Sequence, residues 1–112
     1  MVEIKDMKFD TSIAVLYKIR AAKGHTTVQE TYSFLSKADI DTMLEVLRIA
    51  YNTAENKNVT FDEFLTIIAV NGFGFIFVTQ LFSDWLEKLM FSGLSAEDIA
   101  AKKEQIMKSK PN

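Results

Sequence analysis

The chain has 112 residues, a formal charge of −2, no cysteine and one histidine, with acidic and basic groups matched in both halves. That excludes a disulfide scaffold and a thiolate metal site, leaves little material for a zinc or catalytic centre, and argues against nucleic acid as the main partner. Hydrophobic residues reach 48%, against four glycines and one proline, a balance that points to helices joined by short loops in one domain.

Residues 1–10 mix charges with Val2, Ile4 and Phe9 and contain no long apolar run. They are not read as a signal peptide; they predict a short strand or an ordered arm, with an extended arm that docks on the body preferred and a short N-terminal pairing left open. A first helix is expected from about Thr11 to Lys23, with Asp10 accepting from its free first-turn amides. Ile13, Leu16, Tyr17 and Arg20 keep the spacing of one face, and Gly24 supplies the left-handed stop. A second, shorter helix is expected over Val28–Leu35. Thr27 and Glu30 have capping-box spacing before it, and Val28, Tyr32 and Leu35 would be its buried row.

Ser36 and Asp39 repeat the capping spacing before a third helix. Its stripe of Ile40, Met43, Leu44, Leu47, Ala50, Tyr51 and Ala54 lasts about four turns, and Glu55-Asn56-Lys57-Asn58 ends it. Thr60 and Glu63 form a third capping box, followed by an apolar helix that closes at Asn71-Gly72. Gly72–Phe77 alternates like a strand, but Phe73, Phe77, Leu81, Trp85 and Leu89 make a longer i, i+4 row, so a helix is expected from about Phe73 to Phe91 with a bend near the glycines. Gly93 closes it. Ser95 and Asp98 then cap a last helix, Ala96–Ser109, whose apolar row of Ile99, Ile106 and Met107 is thin. The whole predicts an all-α single domain over 1–112 with five or six helices, an extended arm at 1–10, and a peripheral C-terminal helix and tail at 96–112.

Four local patterns invite specific chemistry. Asn52–Glu63 resembles a calcium loop, with a glutamate in the twelfth position and a helix on each side. Asn52, Ala54 and Asn56 stand where carboxylates are wanted and Lys57 where the turn needs glycine, so a capped helix-loop-helix is the reading and no metal or cofactor is expected. Phe64–Ser83 is free of charge for twenty residues, long enough to cross a bilayer. Its flanks are Asp62-Glu63 and Asp84, not lysine or arginine, so packing in a soluble body is expected and no membrane contact. His25 follows Gly24 in a turn with no nucleophile or acid motif about it, and Lys102, Lys103, Lys108 and Lys110 are offset by neighbouring acids.

Nine phenylalanines remain, five of them in Phe64–Ser83. Two adjacent helices that are apolar nearly all round carry more hydrophobic surface than their neighbours can cover, an excess that marks a protein–protein contact. The continuous row of Phe73, Phe77, Leu81, Trp85 and Leu89 is expected to face the core. Phe75, Phe82 and Met90 fall off it, and some of them are expected to be open; with Phe73 and Phe91 they are the candidate client or subunit surface.

The order of features resembles a known family. An early helix ends in Lys23-Gly24, Asp39-Ile40-Asp41-Thr42-Met43-Leu44-Glu45-Val46-Leu47 opens a middle helix, Val59-Thr60-Phe61-Asp62-Glu63-Phe64-Leu65 follows, and a long apolar helix ends at Gly93. This resembles the tail assembly chaperones of long-tailed, non-contractile bacteriophages, in particular the tape measure protein chaperones of phages of Gram-positive hosts such as lactococci, over Phe9 to about Ser109. The resemblance implies a non-enzymatic protein of the host cytoplasm, absent from the mature virion. It would bind the hydrophobic, helical tape measure protein, keep it soluble until the tail tube polymerises, and self-associate along it. Aromatic residues of Phe73–Phe91, with Met43, Met90 and Met107, would adapt to varied client helices. The alternatives are a small helical adaptor or inhibitor with one stoichiometric partner and, less favoured, a degenerate EF-hand-like module.

Overall fold

The computed structural model describes residues 1–91. The chain opens on a hairpin. Strands β1 (Val2–Ile4) and β2 (Met7–Phe9) pair antiparallel, Val2 opposite Phe9 and Ile4 opposite Met7. Lys5 and Asp6 between them both take positive φ, 46° and 65°, the left-handed pair that a two-residue turn needs to match the strand twist. Alternation then buries Met7 and Phe9 and turns Lys8 to water.

Helix α1 spans Ile13–Lys23. The Asp10 carboxylate accepts from the Ser12 N–H at 2.7 Å, so it shapes the approach to the helix and does not cap its first turn as predicted. Gly24 at φ 68° ends it. The buried residues are Val15, Leu16 and Ile19, while Ile13 and Tyr17 of the predicted row are exposed. Helix α2 (Val28–Ser36) starts at Thr27, whose hydroxyl accepts from the Glu30 N–H at 3.1 Å. The Glu30 carboxylate reaches back one residue further than a capping box, to the Thr26 N–H at 2.9 Å. Thr31 and Leu35 are its buried residues; Val28 and Tyr32 are half-buried.

Helix α3 (Ile40–Glu55) starts one turn later than the spacing predicts. Ser36 stays in α2 because its hydroxyl donates to the Ser33 carbonyl at 2.8 Å, and Asp39 takes the capping role, accepting from the Thr42 N–H at 2.9 Å. Asn56 closes α3 in the left-handed region. Before α4 (Phe61–Val70) the predicted capping box is complete: Thr60 accepts from the Glu63 N–H at 3.1 Å, and Glu63 accepts from the Thr60 N–H at 3.0 Å. Gly72, at φ 73°, turns the chain, and α5 (Phe75–Met90) leaves at 111° to α4. The break leaves Phe73 in the turn and Gly74 as the N-cap.

Helix α3 is the centre. Strand β2 lies along it, and α1, α4 and α5 pack around it; α2 covers α1, and β1 rests on α5. Phe9, Tyr51 and Phe64 form a chain of tilted rings at 6.0 and 5.7 Å. The Asp10 N–H donates to the Ala50 carbonyl at 3.1 Å, and the wholly buried Trp85 indole donates to the Asp10 carbonyl at 2.7 Å. The architecture is all-α, five helices among the described residues, and the expected extended N-terminal arm takes the form of a short hairpin. The predicted helix Ala96–Ser109 and the tail lie outside the described residues.

Candidate interaction surface

The five residues singled out from the sequence separate when folded. Helix α5 turns Val78, Leu81, Phe82 and Trp85 inward, toward α3. Each i+4 step overshoots a full helical turn by about 40°, so the row from Phe73 to Leu89 winds off the core face. Phe77 and Leu89 end at its half-buried margins, and Phe82 moves into it. Phe82 is 4% exposed, its ring 5.6 Å from that of Trp85, which overturns its expected place on the open side. Phe73 is buried against Phe77 at 4.4 Å between ring centres, with the Lys5 ammonium 5.6 Å from its ring centre. Phe91 is buried as well. Met90 is partly open, at 38%, and its Sδ accepts from the Tyr32 hydroxyl at 3.1 Å.

Phe75 is different. It is 66% exposed, and it stands beside Ile76 at 73% and five residues of chain from Val70 at 80%. Val70 is the last residue of α4, and Phe75 and Ile76 are the first two of α5, so these three exposed residues, the apolar crown, flank the corner from the two helix ends. The corner is held from below. The Lys5 ammonium donates to the Asn71 carbonyl at 3.0 Å, and the Asn71 side-chain amide donates to the Ile67 carbonyl at 2.8 Å. No charged residue occurs between Glu63 and Asp84, so this apolar crown has uncharged flanks on both helices. Sequence spacing alone missed Val70 and Ile76. Their exposure comes from the bend, and the signal for it was the Asn71-Gly72 and Gly74 pair that brackets the turn.

The other candidate sites resolve into structural work. In the Asn52–Glu63 loop, the Asn52 side chain accepts from the Val59 N–H at 3.0 Å and donates to the Val59 carbonyl at 3.2 Å. Arg48 donates to the same carbonyl at 3.2 Å. The Glu63 carboxyl is committed to the Thr60 amide, and that hydrogen bond lowers its pKa below the ordinary glutamate value. Lys57 donates to the Tyr51 hydroxyl at 3.2 Å, which raises the pKa of its ammonium. The groups at both ends of a would-be calcium loop therefore tie helix to loop. His25 pairs through Nδ1 with the buried Thr31 hydroxyl at 2.9 Å and sets its ring edge-on to Phe34. Among the described residues, no group of three or more histidine or acidic side chains is gathered to hold a metal. No single described helix is long and apolar enough to cross a membrane; α4 and α5 reach that length only as a pair, sharply bent.

No family model, curated protein or solved structure matches the chain.

Proposed function

We propose that this protein is a non-enzymatic assembly chaperone that shields an apolar, helical client, in the manner of the phage tape measure chaperones its sequence resembles, acting in the host cytoplasm before the tail tube forms. The observation that carries the reading is the crown of Val70, Phe75 and Ile76, three large apolar side chains exposed to water about the α4–α5 corner. An apolar patch of this kind on a small domain marks a partner surface. An aromatic flanked by aliphatic side chains is the anchor type that carries most of an interface's energy. An amphipathic client helix lies its apolar face on such anchors, and many weak copies along one long client gain by avidity.

The test is retention of a tape measure fragment co-expressed with the tagged chain. The wild type is expected to hold the fragment in many copies per client, and Phe75→Ser to release it while melting at the wild-type temperature. One-to-one saturation would favour the adaptor reading. Full retention by folded Phe75→Ser would move the client surface away from the corner, and failure of the wild type to retain any fragment would overturn the chaperone reading.

A further inference from the structure

A groove runs between the hairpin and the outer side of α5. It consists of two hollows of about 370 and 170 Å3 that share Val2, Glu3 and Asp84 as walls. Its residues on α5 run from Phe77 through Asp84 to Lys88 at helical spacing, one stripe about 16 Å long. The narrower hollow has an apolar floor, Phe77 and Leu81 against Val2 and Ile4. The rim of the wider one is acidic: Glu3, Asp84 and Glu87, against Lys88 on the same helix and Lys8 opposite Glu3 in the hairpin. Among the described residues, neither Glu3 nor Asp84 has an ion-pair partner.

We propose that this groove is the seat of the chain's own residues 96–109, which lie outside the described residues, docked as an amphipathic helix antiparallel to α5. The chain leaves the described body at Phe91, one turn beyond Glu87 and Lys88. Residues 92–95, with Gly93 among them, make a connection of ordinary length for two antiparallel helices. Both helices rise about 1.5 Å per residue, so once Ala96 stands beside Met90 the facing positions follow. Glu97 and Asp98 come abreast of Lys88, and Lys102 comes abreast of Asp84. Ile106 and Met107 come abreast of the apolar floor between Phe77 and Leu81. Acid thus meets base, base meets acid, and apolar meets apolar along one row. From Ile99 onward the segment carries four lysines and one acid, opposite in sign to the rim. Its thin apolar row suits a groove whose floor is apolar at one end only. The short tether holds the segment at a millimolar effective concentration, so it fills the groove ahead of a free partner. This inference does not rest on the chaperone reading.

Hydrogen exchange of the full chain tests it. The wild-type amides of residues 99–107 are expected to exchange at least about tenfold more slowly than those of Asp84→Lys, a change at an exposed position that spares the core. Adding Lys102→Asp to Asp84→Lys should restore the protection, because the pair is then reversed and not lost. The chain has no cysteine of its own, so introduced pairs give a second readout. Asp84→Cys with Lys102→Cys should close an intramolecular disulfide on oxidation, and Lys18→Cys on α1 with Lys102→Cys should not. Wild-type amides that exchange freely, protection that Asp84→Lys leaves untouched, or equal closure of the two cysteine pairs overturns the proposal. Protection that disappears on dilution overturns it as well, since the occupant would then be the segment of a second copy.

Discussion

Phe75 and Phe82 stand seven residues apart on one helix and meet opposite fates, because Phe82 lies where the bundle packs on α5 and Phe75 at its exposed start. Phe82 lies on the packed face beside Trp85, whereas Phe75 precedes it at the corner. Phe82→Ala is expected to cost about 3–5 kcal/mol, a large share of the stability of a domain this size, while Phe75→Ala should stay within about 0.5 kcal/mol. Urea denaturation of both variants checks this; equal losses would make Phe75 part of the core. Single carboxylates act at a finer level. Asp39 and Glu63 accept backbone N–H bonds from Thr42 and Thr60, and those bonds lower both pKa values below the ordinary carboxyl values. On acidification the unfolded chain takes up these protons first. The contribution of the two groups is therefore present above the ordinary carboxyl range, near pH 4, and is lost as pH falls through their lower folded values. Asp39→Asn with Glu63→Gln keeps an acceptor at each cap but removes the titration, so its melting temperature should fall less steeply below about pH 5 than that of the wild type. An unchanged slope would assign the acid sensitivity to other carboxylates.

The turn between α4 and α5 shows how one glycine can matter and its neighbour invite improvement. Gly72 sits at φ 73°, where a side chain is strained even though a Cβ would meet nothing within 4 Å. Gly72→Ala should cost roughly 1–2 kcal/mol, all of it backbone. Gly74 caps α5 at φ −87° with no side-chain bond to the first turn and open space around it. Gly74→Ser should add about 0.5 kcal/mol by accepting a first-turn amide and stiffening the unfolded chain. Thermal melts of the two variants should move in opposite directions; a fall for both would mean the turn needs two glycines. Much at this scale was legible. The Thr60–Glu63 box, the Gly24 stop and the bend near Gly72 each follow from side-chain chemistry acting within four residues. The misreadings share a cause as well. Ser36 was given to the next helix because a serine caps or ends a helix with equal ease, and its choice of the Ser33 carbonyl depends on where α2 stops. The i, i+4 row on α5 was read as straight, although an α-helix carries such a row around its axis, which moved Phe77 to the margin of the core face and Phe82 into it.

At the scale of the whole molecule the least legible part was the start of the chain. Three residues of alternation on each side of Lys5-Asp6 are too few to announce a hairpin, and nothing local says that it will lie on α3. Once placed there, it closes the bundle. Phe9 fills the space beside Tyr51 and Met7 joins the same core, the Asp10 carbonyl is the partner of the Trp85 indole 75 residues away, and Lys5 holds the α4–α5 turn. A merely docked arm could be removed at little cost; this hairpin cannot. Deleting residues 1–9 takes two buried side chains from the core, opens a cavity against Tyr51 and frees the chain end that presents the Asp10 carbonyl to Trp85, whose buried N–H then lacks its acceptor. Phe9→Ala alone should cost about 3–5 kcal/mol, and the deletion should abolish cooperative unfolding altogether, since small domains hold only about 5–15 kcal/mol in reserve. Lys8→Ala, on the outward face of the same strand, should change little, which separates loss of the core from loss of the strand's surface. Calorimetry of the three variants decides it. A deleted chain that still melted sharply near the wild-type temperature would show that α1, α3, α4 and α5 complete a core by themselves and that the hairpin is an accessory.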